Sequence, residues 1–259
     1  MSSQVFQNQG FQAVQSYGDK VEAYLAGRPE YPAEMLRELP QVALAIDVGA
    51  GTGLSTAFIA PKAQKVLAVE PIARMARRIP RDRLTNVGVV VARAEAIPAA
   101  DGAAGLIFCG TAFHWFDYAA AMAEFARLLE PGGALALAWN VRDRSVPWVA
   151  RFDAVMDDYA GDTPRQSTGR WRRIFEDARF APVSSRTYPY VQPMAPSGIV
   201  NRALSTSFIA ALPAAEQDAV RRRIQAIIDS EPVLAGRSQA SFPYMSELHL
   251  FRATGRALS

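Results

Sequence analysis

From about residue 43 onward, short apolar runs alternate with amphipathic stretches. The runs 44–48, 66–70, 87–92, 106–109 and 135–139 are apolar on both faces and bounded by Gly, Pro or charge. That pattern predicts central strands covered by helices on two sides. Between them, 54–59, 72–79 and 118–129 read as helices, the last with Asp117 as N-cap and Pro131-Gly132-Gly133 as its stop. Such alternation implies an α/β, doubly wound, mainly parallel sheet whose ligand crevice opens at the C-terminal strand ends.

Past Trp139 the pattern loosens, broken by Pro147, Pro164, Pro182, Pro189, Pro193 and Pro196. Helices are expected at 148–159, 170–176 and 216–230, where Val220, Ile224, Ile227 and Ile228 recur at helical spacing. The runs 183–191 and 244–252 alternate as strands and would form an antiparallel, hairpin-like edge. The expected division is an N-terminal lid segment (1–40), a ligand-binding core (41–145), and a helical cap with C-terminal edge strands of the same domain (146–259).

Composition narrows the partners. With 50% hydrophobic and 20% charged residues, the 259-residue chain has enough apolar surface for a packed core, so a disordered chain is excluded. A formal charge of +3 is too small to argue for nucleic acid. The clusters Arg74, Arg77, Arg78, Arg81, Arg83 and Arg221, Arg222, Arg223 read as solvated helix faces before they read as a phosphate-binding surface. Residues 1–18 lack the basic and apolar regions of a secretory signal, and no apolar run approaches the roughly 18 to 20 residues needed to span a bilayer. A cytoplasmic protein without a membrane partner, monomeric or homodimeric, is expected. The single cysteine, Cys109, rules out an intrachain disulfide and a cysteine-based zinc cluster, and its apolar run marks it as a packed thiol.

The densest chemistry lies in Ala45-Ile46-Asp47-Val48-Gly49-Ala50-Gly51-Thr52-Gly53-Leu54-Ser55, an apolar strand entering three alternating glycines and then a helix. Missing Cβ atoms let backbone turn sharply and approach a ligand. A dinucleotide loop spaces its glycines G-x-G-x-x-G. Here the third glycine comes one residue early, which disfavours a nicotinamide-dependent oxidoreductase. Asp47 would repel a diphosphate but suits an ammonium, and Glu70, ending the second run, could accept bonds from both hydroxyls of a ribose. The ligand so described is a nucleoside with a cationic amino-acid tail and no phosphate.

Asp-Val-Gly-Ala-Gly-Thr-Gly at 47–53 and Val-Leu-Ala-Val-Glu-Pro at 66–71 resemble the first two motifs of class I S-adenosylmethionine-dependent methyltransferases, in particular the trans-aconitate methyltransferase-like subgroup. Tyr24-Leu25-Ala26-Gly27-Arg28-Pro29-Glu30-Tyr31-Pro32 is similar to that subgroup's Y-x-x-x-R-P-x-Y-P segment. Arg93-Ala94-Glu95-Ala96-Ile97-Pro98, Ala112-Phe113-His114-Trp115-Phe116 and Leu128-Leu129-Glu130-Pro131-Gly132-Gly133 resemble its third to fifth motifs.

The resemblance implies a Rossmann-like seven-stranded sheet with an antiparallel edge strand, S-adenosylmethionine as cofactor, no metal, and direct in-line methyl transfer to oxygen, nitrogen or carboxylate of a small molecule. By resemblance, Gly49, Ala50, Gly51 and Gly53 approach the methionine portion and ribose. Asp47 acts through the loop amides or the ammonium, and Glu70, with Pro71 after it, holds the ribose. Ala94 and Glu95 lie against adenine, Cys109 is counted among the cofactor-binding residues, and Tyr24 with Arg28 clamps the methionine carboxylate. His114 is either a general base or a packed wall residue beside Trp115 and Phe116, and Trp139, Asn140 and Arg142 are candidates for lining the acceptor pocket. His249 is expected to be structural or at the surface. RNA or protein as acceptor, and a cofactor-binding protein that transfers nothing, are the alternatives; the amine-gripping and Pro-Cys motifs of base methylation are absent.

Overall fold

The computed structural model describes residues 28–255. Tyr24 therefore lies outside the described residues. In chain order the elements are α1 (Ala33–Glu38), β1 (Val42–Val48), α2 (Leu54–Ile59), β2 (Ala63–Val69), α3 (Ala73–Ala76), β3 (Val87–Val90), β4 (Ala104–Gly110), α4 (Tyr118–Leu128) and β5 (Leu129–Arg142). They continue with α5 (Pro147–Asp157), β6 (Phe180–Met194), α6 (Pro196–Leu204), α7 (Ser207–Ala210), α8 (Ala214–Ser230) and β7 (Ala240–Ala253). One seven-stranded sheet runs β3-β2-β1-β4-β5-β7-β6, parallel through β5, with antiparallel strands at the β6 edge as expected.

The strand order reverses between β1 and β4, where Ala45 pairs with Leu106 and Asp47 with Phe108. Strands that leave a reversal point in opposite directions open a crevice at their C-terminal ends. β4 is buried along Ala104, Gly105, Leu106, Ile107, Phe108 and Cys109, as a strand covered on both faces must be.

Residue contacts group the chain into two units. One holds Tyr31–Asn140, Pro164–Tyr188 and the described residues from Ser246 onward. Its core joins Met35, Ala45, Ile59, Leu106, Phe108 and Leu248. The other holds Val141–Thr163, Pro189–Met245 and the described residues before Tyr31. Its core packs Phe152, Ile199, Ala203, Ile224 and Phe242. α8 brings Val220, Ile224, Ile227 and Ile228 to that core, on the stripe expected of it.

Several expectations need correcting. The helix expected at 72–79 is helical only over Ala73–Ala76. Pro80 disfavours helical geometry at Ile79, which shortens it. The helix expected at 170–176 is present with those bounds, as a 3₁₀ helix. Pro131-Gly132-Gly133 lies inside β5: Leu129 is already extended and pairs with Ala104, while Ala134 pairs with Leu106, so residues 130–133 loop out of register. The third run stops at Val90, short of Ala92. Helices α1, α6 and α7 were not foreseen. Among the described residues no helix is long and apolar enough to cross a membrane.

Candidate active site

The glycine loop follows β1 and is anchored on β2. Gly49 N and Ala50 N both donate to Val69 O, at 2.9 and 3.0 Å. Gly49, Gly51 and Gly53 have φ of +75°, +58° and +95°, a region that L side chains rarely occupy. A Cβ on Gly49 would also sit 2.4 Å from the Ala112 Cβ, so glycine there lets the loops after β1 and β4 touch.

Two carboxylates organise this loop. Asp47, fully buried, accepts hydrogen bonds on Oδ2 from Ser55 Oγ (2.8 Å) and Thr56 Oγ1 (2.6 Å). Those hydroxyls stand on α2, so Asp47 ties the strand end to the helix rather than to the loop amides. Its other oxygen, Oδ1, is buried with no hydrogen-bond partner among the described residues. Burial raises its pKa to about 6, against the two hydroxyl bonds and with a smaller push from the Glu70 charge. Glu70, 4% exposed, accepts from Gly51 N on Oε2 at 2.8 Å and from Ile72 N on Oε1 at 2.9 Å. Burial raises its pKa too, opposed by those two backbone bonds.

These features fit a nucleoside with an ammonium-bearing tail. A buried carboxylate oxygen without a donor beside the loop suits a cation, and each oxygen of Glu70 keeps lone-pair capacity after one backbone bond. Ala50 is buried and Pro71 half-buried nearby in sequence. Ala94 is buried, and Glu95 accepts from Asp117 N (2.9 Å) and Arg93 Nε (3.1 Å), bracing the turn before α4. Cys109 is fully buried, and its thiol pKa is pushed far up by burial and by the Asp47 charge, as a packed thiol requires.

The opposite wall comes from the ends of β4 and β5. His114 lies on the 3₁₀ turn Phe113–Trp115, and its Nδ1 accepts the indole N–H of Trp139 at 3.2 Å. Indole nitrogen only donates, so the neutral imidazole carries its proton on Nε2. Phe116 comes within 3.5 Å of a Cβ built on Gly49, which sets this wall against the glycine loop. The Trp115 ring lies 5.2 Å from the His114 ring. Behind, Trp139 packs on Trp171 at 4.7 Å, and Trp171 on the buried His249 at 4.5 Å. His249 is buried, with its ring nitrogens on Ser185 Oγ and Glu247 Oε2 at 2.9 and 3.3 Å. Ser246 Oγ donates to Asn140 Oδ1 at 2.5 Å, which turns the amide NH₂ of Asn140 the other way.

Arg28 and Arg142 belong to the other unit, where Arg142 pairs with Asp153 and sits over the Phe152 ring. Arg221 and Arg223 pair with Asp218 and Asp158, as solvated-face arginines do.

Four residues of this site escaped the sequence reading. Ser55 and Thr56 follow the glycine loop by less than one turn, and that spacing from Asp47 was a usable signal. Tyr31 sits inside a quoted motif; its ring packs on Phe58 and Phe108 and its hydroxyl lies 3.4 Å from Thr111 Oγ1. Thr111, at the end of β4, has φ of 57°, a strained backbone that no local pattern announces.

Comparison with known proteins agrees with this geometry. A family model described as a methyltransferase domain matches residues 46–137. An uncharacterized methyltransferase of Mycobacterium bovis is 30% identical over 89% of this chain and 93% of its own length. An uncharacterized methyltransferase-like protein of Schizosaccharomyces pombe is 29% identical over 90% and 93%. Among solved structures, a chain from Anaeromyxobacter dehalogenans, described as a candidate type II methyltransferase, superposes with a TM-score of 0.63 at 22% identity, covering 87% of this chain and 97% of that one. With its glycine loop, paired carboxylates and reversal-point crevice, the chain belongs to the class I S-adenosylmethionine-dependent methyltransferases.

Proposed function

We propose that the chain binds S-adenosylmethionine at the C-terminal ends of β1, β2 and β4 and methylates a small-molecule acceptor at the His114 wall. The observation that carries this reading is the buried Asp47 Oδ1 without a donor, next to a loop whose three glycines hold positive φ. Asp47 would take the ammonium of the cofactor, the loop its methionine portion, and Glu70 the ribose hydroxyls. Ala94 and Glu95 would border the adenine. When bound, the cofactor supplies a methyl group on an electron-poor sulfur, open to in-line displacement.

The protein's share is then alignment and exclusion of water. His114 would border the acceptor, and serving as a base through Nδ1 would cost it the Trp139 bond. Trp115 and Phe116 supply apolar walls, and the amide of Asn140 a second polar handle. The lid, core and cap division, a cytoplasmic location and a monomeric or homodimeric state go with this proposal.

Calorimetric titration with S-adenosylhomocysteine and with NADH tests the cofactor: heat is expected only with the first, and heat only with NADH would overturn it. Turnover of methyl-labelled donor against a metabolite extract and against cellular RNA and protein tests the acceptor, with label expected in the small-molecule fraction. For His114→Ala, turnover should fall while affinity for S-adenosylhomocysteine stays unchanged.

A further inference from the structure

Arg202, on α6, is 5% exposed, yet its hydrogen-bond partners are neutral oxygens: Nε donates to Tyr244 Oη and Nη1 to Thr206 Oγ1, both at 3.4 Å. Among the described residues no carboxylate pairs with it. Burial pushes its pKa down, Tyr244 opposes that shift, and two further guanidiniums of the same unit, Arg28 and Arg142, add to it. Asp153 does not relieve this, because one of its oxygens is engaged by Arg142 and the other by Arg144.

A buried cation without a counter-charge is among the most costly arrangements in a protein. Tyr244 makes the imbalance larger. It is 1% exposed and its hydroxyl oxygen accepts from Arg202, while its own proton has no acceptor among the described residues. The Thr206 hydroxyl, by contrast, donates back to Arg202 O at 3.3 Å and is satisfied. Unmatched N–H groups of a guanidinium fork and one phenolic O–H therefore meet in the same place, with no acceptor.

We propose that Arg202 and Tyr244 form a carboxylate-binding site, the guanidinium fork and the phenol proton sharing the two oxygens of one carboxylate. A planar fork matches a planar two-oxygen anion, whereas a phosphate would bring more oxygens and charge than these donors can meet. The carboxylate is that of a free organic acid. The site itself stands independently of the methyl-transfer reading.

Thermal-shift titration with succinate, against inorganic phosphate and sodium chloride at matched ionic strength, tests the chemistry on the intact chain. Calorimetry of the parent with S-adenosylhomocysteine separates this site from the methyl-transfer reading. Arg202→Met should fold, with a melting temperature equal to or above that of the parent without ligand, because it removes an uncompensated charge.

Succinate should stabilise the parent, Arg202→Met should lose that shift, and Tyr244→Phe should weaken it several-fold. No succinate shift in the parent, or an unchanged shift in both variants, would overturn the site. Stronger protection by phosphate than by succinate would overturn the carboxylate assignment. Failure of the parent to bind S-adenosylhomocysteine while succinate still binds would count against the methyltransferase reading alone.

Discussion

Asp47 carries its charge where water does not reach. Its folded pKa of about 6 lies above the ordinary 3.8, so the native state binds the proton more tightly than the unfolded chain. Stability is therefore lost as pH rises from about 4 to 6, and above that the penalty is fully present at about 3 kcal/mol. Asp47→Asn should melt higher than the parent at pH 7.5, with the gap closing near pH 4. A cationic ligand reverses the preference, because it favours the carboxylate. Affinity for S-adenosylhomocysteine should thus weaken as pH falls through 6, and a flat profile between pH 5 and 7.5 would remove Asp47 from the site. Glu70→Ala takes acceptors from Gly51 N and Ile72 N. We expect it to weaken S-adenosylhomocysteine by roughly 1.5 to 3 kcal/mol, the range for hydrogen bonds to a charged group, read by calorimetry.

At the scale of elements, α4 shows how local chemistry fixes a boundary. The Asp117 side chain accepts from Ala120 N at 3.1 Å, while Ala121, Met122, Phe125 and Leu128 face the core. Asp117→Ala should cost about 0.5 to 2 kcal/mol in denaturant titration and leave cofactor affinity in place. That helix, the buried strands and the glycine loop were legible because period and punctuation coincide in them. α6 was not: Pro196, Ser197, Gly198 and Asn201 dilute its helical signal, and the helix is sustained by burial of Ile199, Val200, Ala203 and Leu204. Tertiary packing there outweighs propensity. The looped entry to β5 hid for a related reason, since Pro131-Gly132-Gly133 signals a turn equally well before a strand or within one. In the site, charged and glycine positions announced themselves, whereas Thr111 and Tyr31 gain their meaning only from neighbours distant in sequence.

For the whole molecule, a ligand that binds only the folded chain adds stability by mass action. S-adenosylhomocysteine at 100 times its dissociation constant should add about 2.7 kcal/mol, measured as a ligand-dependent rise in melting temperature. The sheet centre should register the same gain by another route. Cys109 lies on β4, wholly enclosed and with its thiol held protonated. As the chain's sole sulfhydryl, it can meet an alkylating reagent only when the strands around it come apart. The rate of iodoacetamide labelling then becomes a clock for opening of the innermost layer, one that needs no engineered probe and that a bound nucleoside should slow.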